Sequence, residues 1–477
     1  MTTAIVWFRR DLRLTDNPAL EAALRMHAQV IPVYIDAPHE EAPWQPGAAS
    51  RWWLHHSLRA LGADLRSRGS SLRIERGDSL AVLGELARTV GASAVYWNRL
   101  YEPALVARDA TLKAALRADG IEAHSHKTHV LFEPWELATA QGDPYRVFTP
   151  FWRKARSCLQ LRPPLDAPAR IATPRLPGCR ALRSLGLLPR TAWDTGLRAT
   201  WTPGEAGARS ALDRFIETRL ADYAQGRDRP DRAATSTLSA HLHFGEISPM
   251  HVAWDVDQRL RASDTAWLRE GGEAFLRELG WREFSQHLLH HYPHMPERNL
   301  NPRFDAFEWA ADDPAAIACW QRGRTGIPII DAGMRELWAS GTMHNRVRML
   351  VASFLTKNLR QHWLHGARWF WDTLVDADLA NNAQGWQWTA GVGVDAAPYF
   401  RIFNPVTQAR RFDPDGDYVR RWVPELAEVP AASIHEPWTD ASILARTGYP
   451  PPLVDLAISR ESALAAYRQM PRTPERL

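Results

Sequence analysis

The first 130 residues alternate short apolar runs with longer amphipathic stretches. The runs TAIVWF, VIPVYI, LRIER and AVYWNRL carry few polar positions, the pattern of parallel strands buried on both faces. Between them, residues 50–68 and 78–90 repeat apolar positions at helical spacing. Strand–helix alternation predicts a doubly wound α/β domain over residues 1–132. Arg9, Arg10 and Asp11 follow the first strand, at the carboxyl end where open α/β sheets bind ligands. The dinucleotide fingerprint G-x-G-x-x-G is absent. From 133 to 204 the periodicity dissolves. RPPLDAPARIATPRLPG is rich in Pro and Arg and predicts a long surface connector between domains. TPGEAGARSALDRFI then reads as a helix start, and amphipathic patterns dominate thereafter, so residues 205–477 are expected to form an all-helical domain.

Composition narrows the classes. A chain of 477 residues has room for two or three domains, and 45% hydrophobic with 23% charged residues is ordinary for a globular protein. A net charge of +4 permits a local basic patch without demanding a nucleic-acid partner. Cys158, Cys179 and Cys319 form no C-x-x-C and cannot supply four ligands, which argues against iron–sulfur and thiolate–zinc sites and suits a reducing cytoplasm. His124, His126 and His129 have unremarkable spacing and no completing carboxylate or cysteine, so no metal is expected. MTTAIVWFRRDLRL lacks the apolar core of a signal peptide, and no run reaches the roughly 18 apolar residues of a membrane span. A soluble cytoplasmic chain is the expectation. Most of the 22 tryptophans should fill cores, but several sit beside polar motifs.

Four clusters carry candidate chemistry. Residues 376–405, DADLANNAQGWQWTAGVGVDAAPYFRIFNP, place Asp376, Asp378, Asn381 and Asn382 next to Trp386 and Trp388. Buried polar groups must find partners, and a polar heterocycle would supply them. In Thr235-Ser236-Thr237-Leu238-Ser239, hydroxyls ahead of a helix form either a plain N-cap or an anion seat, with Tyr223 and Arg227 upstream. Glu278, Trp281 and Arg282 share a helix face at i, i+3 and i+4, either as a surface ion pair beside a core indole or as the lining of one pocket. In MHNRVRM, Arg346 and Arg348 are solvated charges or anion contacts.

These motifs together resemble the photolyase/cryptochrome family over nearly the whole chain, and most resemble its bacterial cyclobutane pyrimidine dimer DNA photolyases. The resemblance implies non-covalent FAD in the helical half. Thr235, Ser236, Thr237, Leu238 and Ser239 would hold its pyrophosphate, with Tyr223 and Arg227 close by. Asp376 and Asp378 would lie near the ribityl chain and the isoalloxazine edge, Asn382 at flavin N5, and Arg282, Asn345 and Arg348 around the ring. It also implies light-driven repair of dimer-containing DNA by a monomer. Glu278 would hydrogen-bond the damaged bases, Trp281 and Trp388 would stack on them, and Arg346 would meet a phosphate. Trp386, Trp363 and Trp309 would carry electrons from the surface to the flavin. The 6-4 subgroup has histidines where this chain has Asn345 and Met349, which favours cyclobutane dimers. Plant-type cryptochromes have Asp at the position of Asn382, which favours repair over signalling, since an ionised carboxylate would repel an anionic flavin. The single-strand-preferring DASH subgroup departs from the WQW at 386–388. An electron-transfer flavoprotein of the flavodoxin type would fit the first domain alone, and the helical half argues against it. GAASRWWLHHSL and PYRVFTPFW resemble a folate-binding bacterial subgroup, which implies a methenyltetrahydrofolate antenna near Trp52 rather than a deazaflavin.

Overall fold

The computed structural model describes residues 2–176, 178–263, 265–395 and 400–471; Pro398 and Tyr399 of PYFRIFNP lie outside the described residues. Five strands form one parallel sheet: β1 Thr3–Phe8, β2 Gln29–Asp36, β3 Arg73–Arg76, β4 Ala92–Asn98 and β5 Glu122–His126. Their order is β3-β2-β1-β4-β5, the doubly wound arrangement expected from the alternation. β1 lies at the centre and every one of its residues is buried, as TAIVWF requires. β5 was not legible. EAHSH is an edge strand with most side chains partly exposed, so it carries no apolar run. Helices α1 Pro18–Met26, α2 Ala48–Ser67, α3 Ser79–Val90 and α4 Pro103–Ala118 cover the sheet. Asp78 caps α3 through the Ala81 N–H at 2.9 Å.

The carboxyl ends of β1 and β4 are filled by the protein itself. Asp11 accepts from the Arg9 N–H and from Asn98 Nδ2, each at 2.6 Å. Arg13 is buried and donates to the carbonyls of Gly245 (2.7 Å) and Asp16 (2.6 Å). Gly245 has φ +62, and a Cβ there would lie 2.0 Å from the Arg10 carbonyl, so glycine alone permits this approach. The switch point therefore docks the second domain.

The connector is not one coil. Residues 162–176 lack regular structure, yet they edge the sheet through Val30 N–H to the Ala172 carbonyl (2.9 Å). Before them, α5 Phe148–Cys158 buries Phe148, Phe151 and Ala155 in the main core of the helical half. Next come α6 Thr195–Thr200, α7 Glu205–Thr218, α8 Tyr223–Gly226, α9 Ser239–His243, α10 Pro249–Arg261 and α11 Ala266–His291. α12 Pro314–Gln321, α13 Pro328–Ser340, α14 Asn345–Ser353, α15 Trp363–Thr373, α16 Leu379–Ala390 and α17 Pro405–Phe412 complete the site-bearing part. No helix among the described residues is long and apolar enough to cross a membrane.

α11, with 26 residues, is the spine. It sends Phe284, Leu288 and Leu289 into one core and Phe275, Leu276 and Leu279 into another. Each such side chain, fully buried, contributes roughly 1.5–3 kcal/mol. Glu283 pins the end of the first domain to this spine by accepting the N–H groups of Leu131 (2.7 Å) and Phe132 (3.1 Å). Burial pushes its carboxyl up to about 7, although Arg282 and those two amides pull the other way. A proton held in the folded state but not the unfolded one stabilises the fold below the ordinary pKa of 4.5, and that contribution fades as pH rises towards about 7. The stability of the native protein relative to Glu283→Gln should therefore fall between about pH 4.5 and pH 7. Thermal melts of both proteins across that range check it; a relative stability that rises would show Glu283 ionised in the fold.

Candidate active site

Three elements converge around α11 and α16. On α11, Glu278 forms an ion pair with Arg227, which follows α8. The expected partner by spacing, Arg282, turns instead to the connector. It donates to the His129 carbonyl (2.8 Å) and to His129 Nε2 (3.0 Å), and lies 3.3 Å from Glu283. Burial and the Arg282 charge hold His129 well below the usual histidine range, so its ring is the neutral acceptor. Trp281 lies flat on Phe148 of α5, with centroids 3.6 Å apart and planes at 9°. One indole face is thus backed by a buried ring while the residue stays half-buried. Trp388 on α16 is also half-buried and donates its indole N–H to the Asp395 carbonyl at 2.9 Å.

The hydroxyl segment is a tight turn. Thr237 has φ +59, and Ser236 Oγ accepts the Leu238 N–H at 3.3 Å. The helix that follows, α9, has only five residues, so the hydroxyls and the turn are the donors here and a long dipole is not. Tyr223 is buried edge-on against Phe215 and Phe275, and Arg227 sits over its ring at 5.7 Å.

α14 and α16 supply a polar wall. Arg348 reaches Asp376 at 2.9 and 3.1 Å. Asp378 caps α16 through the Asn381 N–H (2.9 Å) and accepts Gln286 Nε2 at 3.1 Å. Burial opposes its charge, but His243, Arg282 and the Asn381 amide hold it well below the usual carboxylate range. Asn382 is anchored through Nδ2 on the Ala367 carbonyl at 2.9 Å, which leaves its oxygen as the available end. His344 caps α14, and burial pushes its ring down to about 4. Asn345, the first residue of α14, is exposed, and Met349 is half-buried. Arg346 is held by Asp228 (2.8 Å) and lies over the Phe412 ring at 4.4 Å, so an incoming phosphate would have to displace a carboxylate.

Buried Gln286 Oε1 and His243 Nδ1 have no hydrogen-bond partner among the described residues. Both lie beside Asp378, where a planar heterocycle with donors and acceptors would satisfy them. The residues therefore fit a flavin. A metal is less well served. His124 pairs with Glu122, His126 stacks on Tyr96, and His129 serves Arg282, so these three do not gather. His39, Glu40 and Asp78 approach one another, but Glu40 already accepts from Ser79 and Arg108.

Residues 4–169 match the model of DNA photolyase, and residues 275–469 match that of the FAD binding domain of DNA photolyase. The chain is 47% identical to the deoxyribodipyrimidine photo-lyase of Agrobacterium fabrum, covering 98% of both chains. The chain belongs to the photolyase/cryptochrome family. It is 40% identical to cryptochrome-1 of Arabidopsis thaliana, over 98% of this chain and 70% of that one. The crystal structure of a bacterial class III photolyase from Agrobacterium tumefaciens superposes with a TM-score of 0.93 at 47% identity, covering 98% of this chain and 97% of that one.

Within this photolyase-like frame two of the three marked tryptophans are buried and the third is partly open to solvent. Trp386 is 2% exposed, Trp363 is fully buried, and Trp309 is half-buried. His362 lies between the outer two, stacked on Trp363 (5.8 Å) and edge-on to Trp309 (5.0 Å). Trp52 is enclosed, 1% exposed, with its N–H on Asp194 at 2.9 Å and its ring against Trp53 and His56; it offers no open face for direct stacking by an antenna. The sequence assigned no part in this site to Phe148, His129, His243, Gln286, Asp228 or Asp395. Their partners are distant in sequence, although Phe148 lies within PYRVFTPFW, Asp228 beside Arg227 and Asp395 within the 376–405 stretch. Gly366 on α15 faces Trp386 so closely that a Cβ would lie 1.9 Å from the indole. Gly366→Ala should therefore cost about 1–3 kcal/mol through overpacking, against the usual gain from Gly to Ala in a helix. Denaturant unfolding at constant slope measures this; a stabilised variant would place Trp386 elsewhere.

Proposed function

We propose that this chain repairs cyclobutane pyrimidine dimers in DNA by light-driven electron transfer from bound, reduced FAD. One observation carries the reading. A carboxylate and two braced indoles, Glu278, Trp281 and Trp388, sit on two packed helices, α11 and α16, and the polar wall of Asp376, Asp378 and Asn382 lies at the start of α16, joined to α11 through Gln286. Identity to curated photo-lyases over almost the full length supports it. Asn382, a neutral amide, favours repair over a cryptochrome's signalling role.

Each residue then has a task. Thr235, Ser236, Thr237, Leu238 and Ser239 seat the pyrophosphate, with Tyr223 and Arg227 beside them. Arg348 and Asp376, as a pair, together with Arg282, Asn345 and Asn382, would hold the flavin ring when it is bound. When bound, FAD supplies the excited electron that splits the dimer and receives it back, so no net redox change occurs. Trp281 and Trp388 take the flipped-out bases, returning roughly 1–3 kcal/mol per base against the cost of unstacking. Glu278 hydrogen-bonds the pyrimidine carbonyls and stabilises charge arriving there. Arg346 exchanges Asp228 for a DNA phosphate, which makes binding salt-dependent. Asn345 and Met349 shape the lesion side for cyclobutane dimers rather than 6-4 products. The enzyme acts as a monomer, and in the cytoplasm, the compartment that three unbonded cysteines suit. Its antenna is methenyltetrahydrofolate rather than a deazaflavin, a reading supported by GAASRWWLHHSL and PYRVFTPFW and testable by the absorption spectrum of the purified protein.

The test is direct. FAD should be released on denaturation, and reduced protein under blue light should restore oligonucleotides carrying a cyclobutane dimer. Restoration of 6-4 products alone, or absence of FAD after reconstitution, refutes the reading. Glu278→Ala should weaken dimer binding by about tenfold, the size of one charge-assisted hydrogen bond, and lower the repair yield with FAD content intact. Trp386→Phe should abolish photoreduction of oxidised flavin yet spare repair by chemically reduced protein, because the electron to the dimer does not cross Trp386. Photoreduction that survives in a folded Trp386→Phe protein would mean that electrons enter by another route.

A further inference from the structure

Asp395 lies in the turn that leaves α16, with left-handed backbone at φ +52. Aspartate tolerates that conformation better than most residues, but glycine would suit it more, so the side chain needs a reason of its own. Its main-chain carbonyl accepts the Trp388 indole N–H at 2.9 Å. Its carboxylate Oδ2 accepts the Phe148 N–H at 3.3 Å. Phe148 is the first residue of α5 and lacks a side-chain cap, so this carboxylate takes a donor the helix leaves open. Phe148 is also the ring on which Trp281 lies flat. One residue is thus bonded directly to one stacking indole and to Phe148, the backing of the other. These two indoles come from helices that begin 113 residues apart, at Ala266 and Leu379.

We infer that Asp395 is a positioning residue that sets the spacing and tilt of the Trp281 and Trp388 faces, and so selects two covalently joined pyrimidines over separate bases. The inference rests on the repair reading above. Two fused pyrimidines present two faces at a fixed angle, and a pair of rigid walls at matching spacing accepts them together. Separate bases gain nothing from the second wall being fixed. Among the described residues this is the hydrogen bond that joins α5 to the 391–395 turn, and without it the walls relax independently. The left-handed turn aims the carbonyl at Trp388, and the carboxylate transmits that placement to α5.

The test uses the full-length, FAD-loaded protein. Asp395→Gly removes the carboxylate and suits the backbone, so it should fold. Asp395→Asn keeps both an acceptor and the left-handed tolerance. Dissociation constants for a duplex with one dimer and for the undamaged duplex are measured for each, with flavin content and melting temperature. Asp395→Gly should lose dimer affinity by about tenfold, the scale of one base's stacking, with less than about a twofold change for undamaged duplex. Asp395→Asn should restore the discrimination. In a Trp281→Ala background, Asp395→Gly should cost far less, because the tether acts through the Phe148-backed wall. Equal losses on both duplexes, no loss on either, or an Asn variant as poor as Gly would overturn the inference. A native protein that neither binds nor repairs the dimer would refute the function instead, and leave Asp395 a loop brace.

Discussion

A carboxylate taken out of water needs partners from several directions, and Asp378 finds them on elements from both halves of the chain. It caps α16, accepts from Gln286 of α11, lies 3.8 Å from His243 of α9, and feels the charge of Arg10 from the end of β1. Leaving such a charge uncompensated would cost several kcal/mol. The relative placement of these elements is therefore tightly constrained. Asp376, Asn382, Trp386 and Trp388 inherit that placement because they flank Asp378 on the same short stretch.

The two domains meet under the same constraint. Arg13 and Asp16 are buried, and each is satisfied across the boundary, by the Gly245 carbonyl and by Ser248 Oγ. Glu246, fully buried, gathers Trp53 Nε1 (3.0 Å), the Gly204 N–H (2.7 Å) and His241. Polar groups sealed into a junction this way fix its geometry, because any slippage leaves several unpaired at once. The carboxyl end of the sheet, where an open α/β fold usually meets its ligand, is thereby spent on holding the helical half in place.

Aromatic rings do complementary work inside the helical half. Trp152, Phe148 and Trp281 form a parallel ladder between connector and spine, tight enough that a Cβ on Gly280 would lie 2.3 Å from the Trp152 ring. Trp386 packs edge-on to Phe370 and Trp320, and its buried indole N–H has no acceptor among the described residues. Most tryptophans here are packing residues first. Trp281 and Trp388 are set apart by a half-exposed face, and Trp363 and Trp309 by the His362 ring that stands between them.

The sequence alone determined a good deal. Strand and helix periodicity specified four of the five strands, two of the four covering helices and the helical second half, because burial on both faces writes continuous apolar runs and burial on one face writes a 3.6-residue repeat. It also marked most of the candidate site, since Asp, Asn, Trp and Arg concentrated in short motifs stand out against core and surface patterns alike. What it left open depends on partners far apart in the chain. Spacing paired Glu278 with Arg282, and the fold paired Glu278 with Arg227 and sent Arg282 to His129. A connector that looked structureless contributed α5 and the ring behind Trp281. A polar edge strand escaped notice because an exposed face needs no apolar signature. Local pattern records which faces are buried, whereas the partner of each charge and the backing of each ring are settled only when distant segments pack.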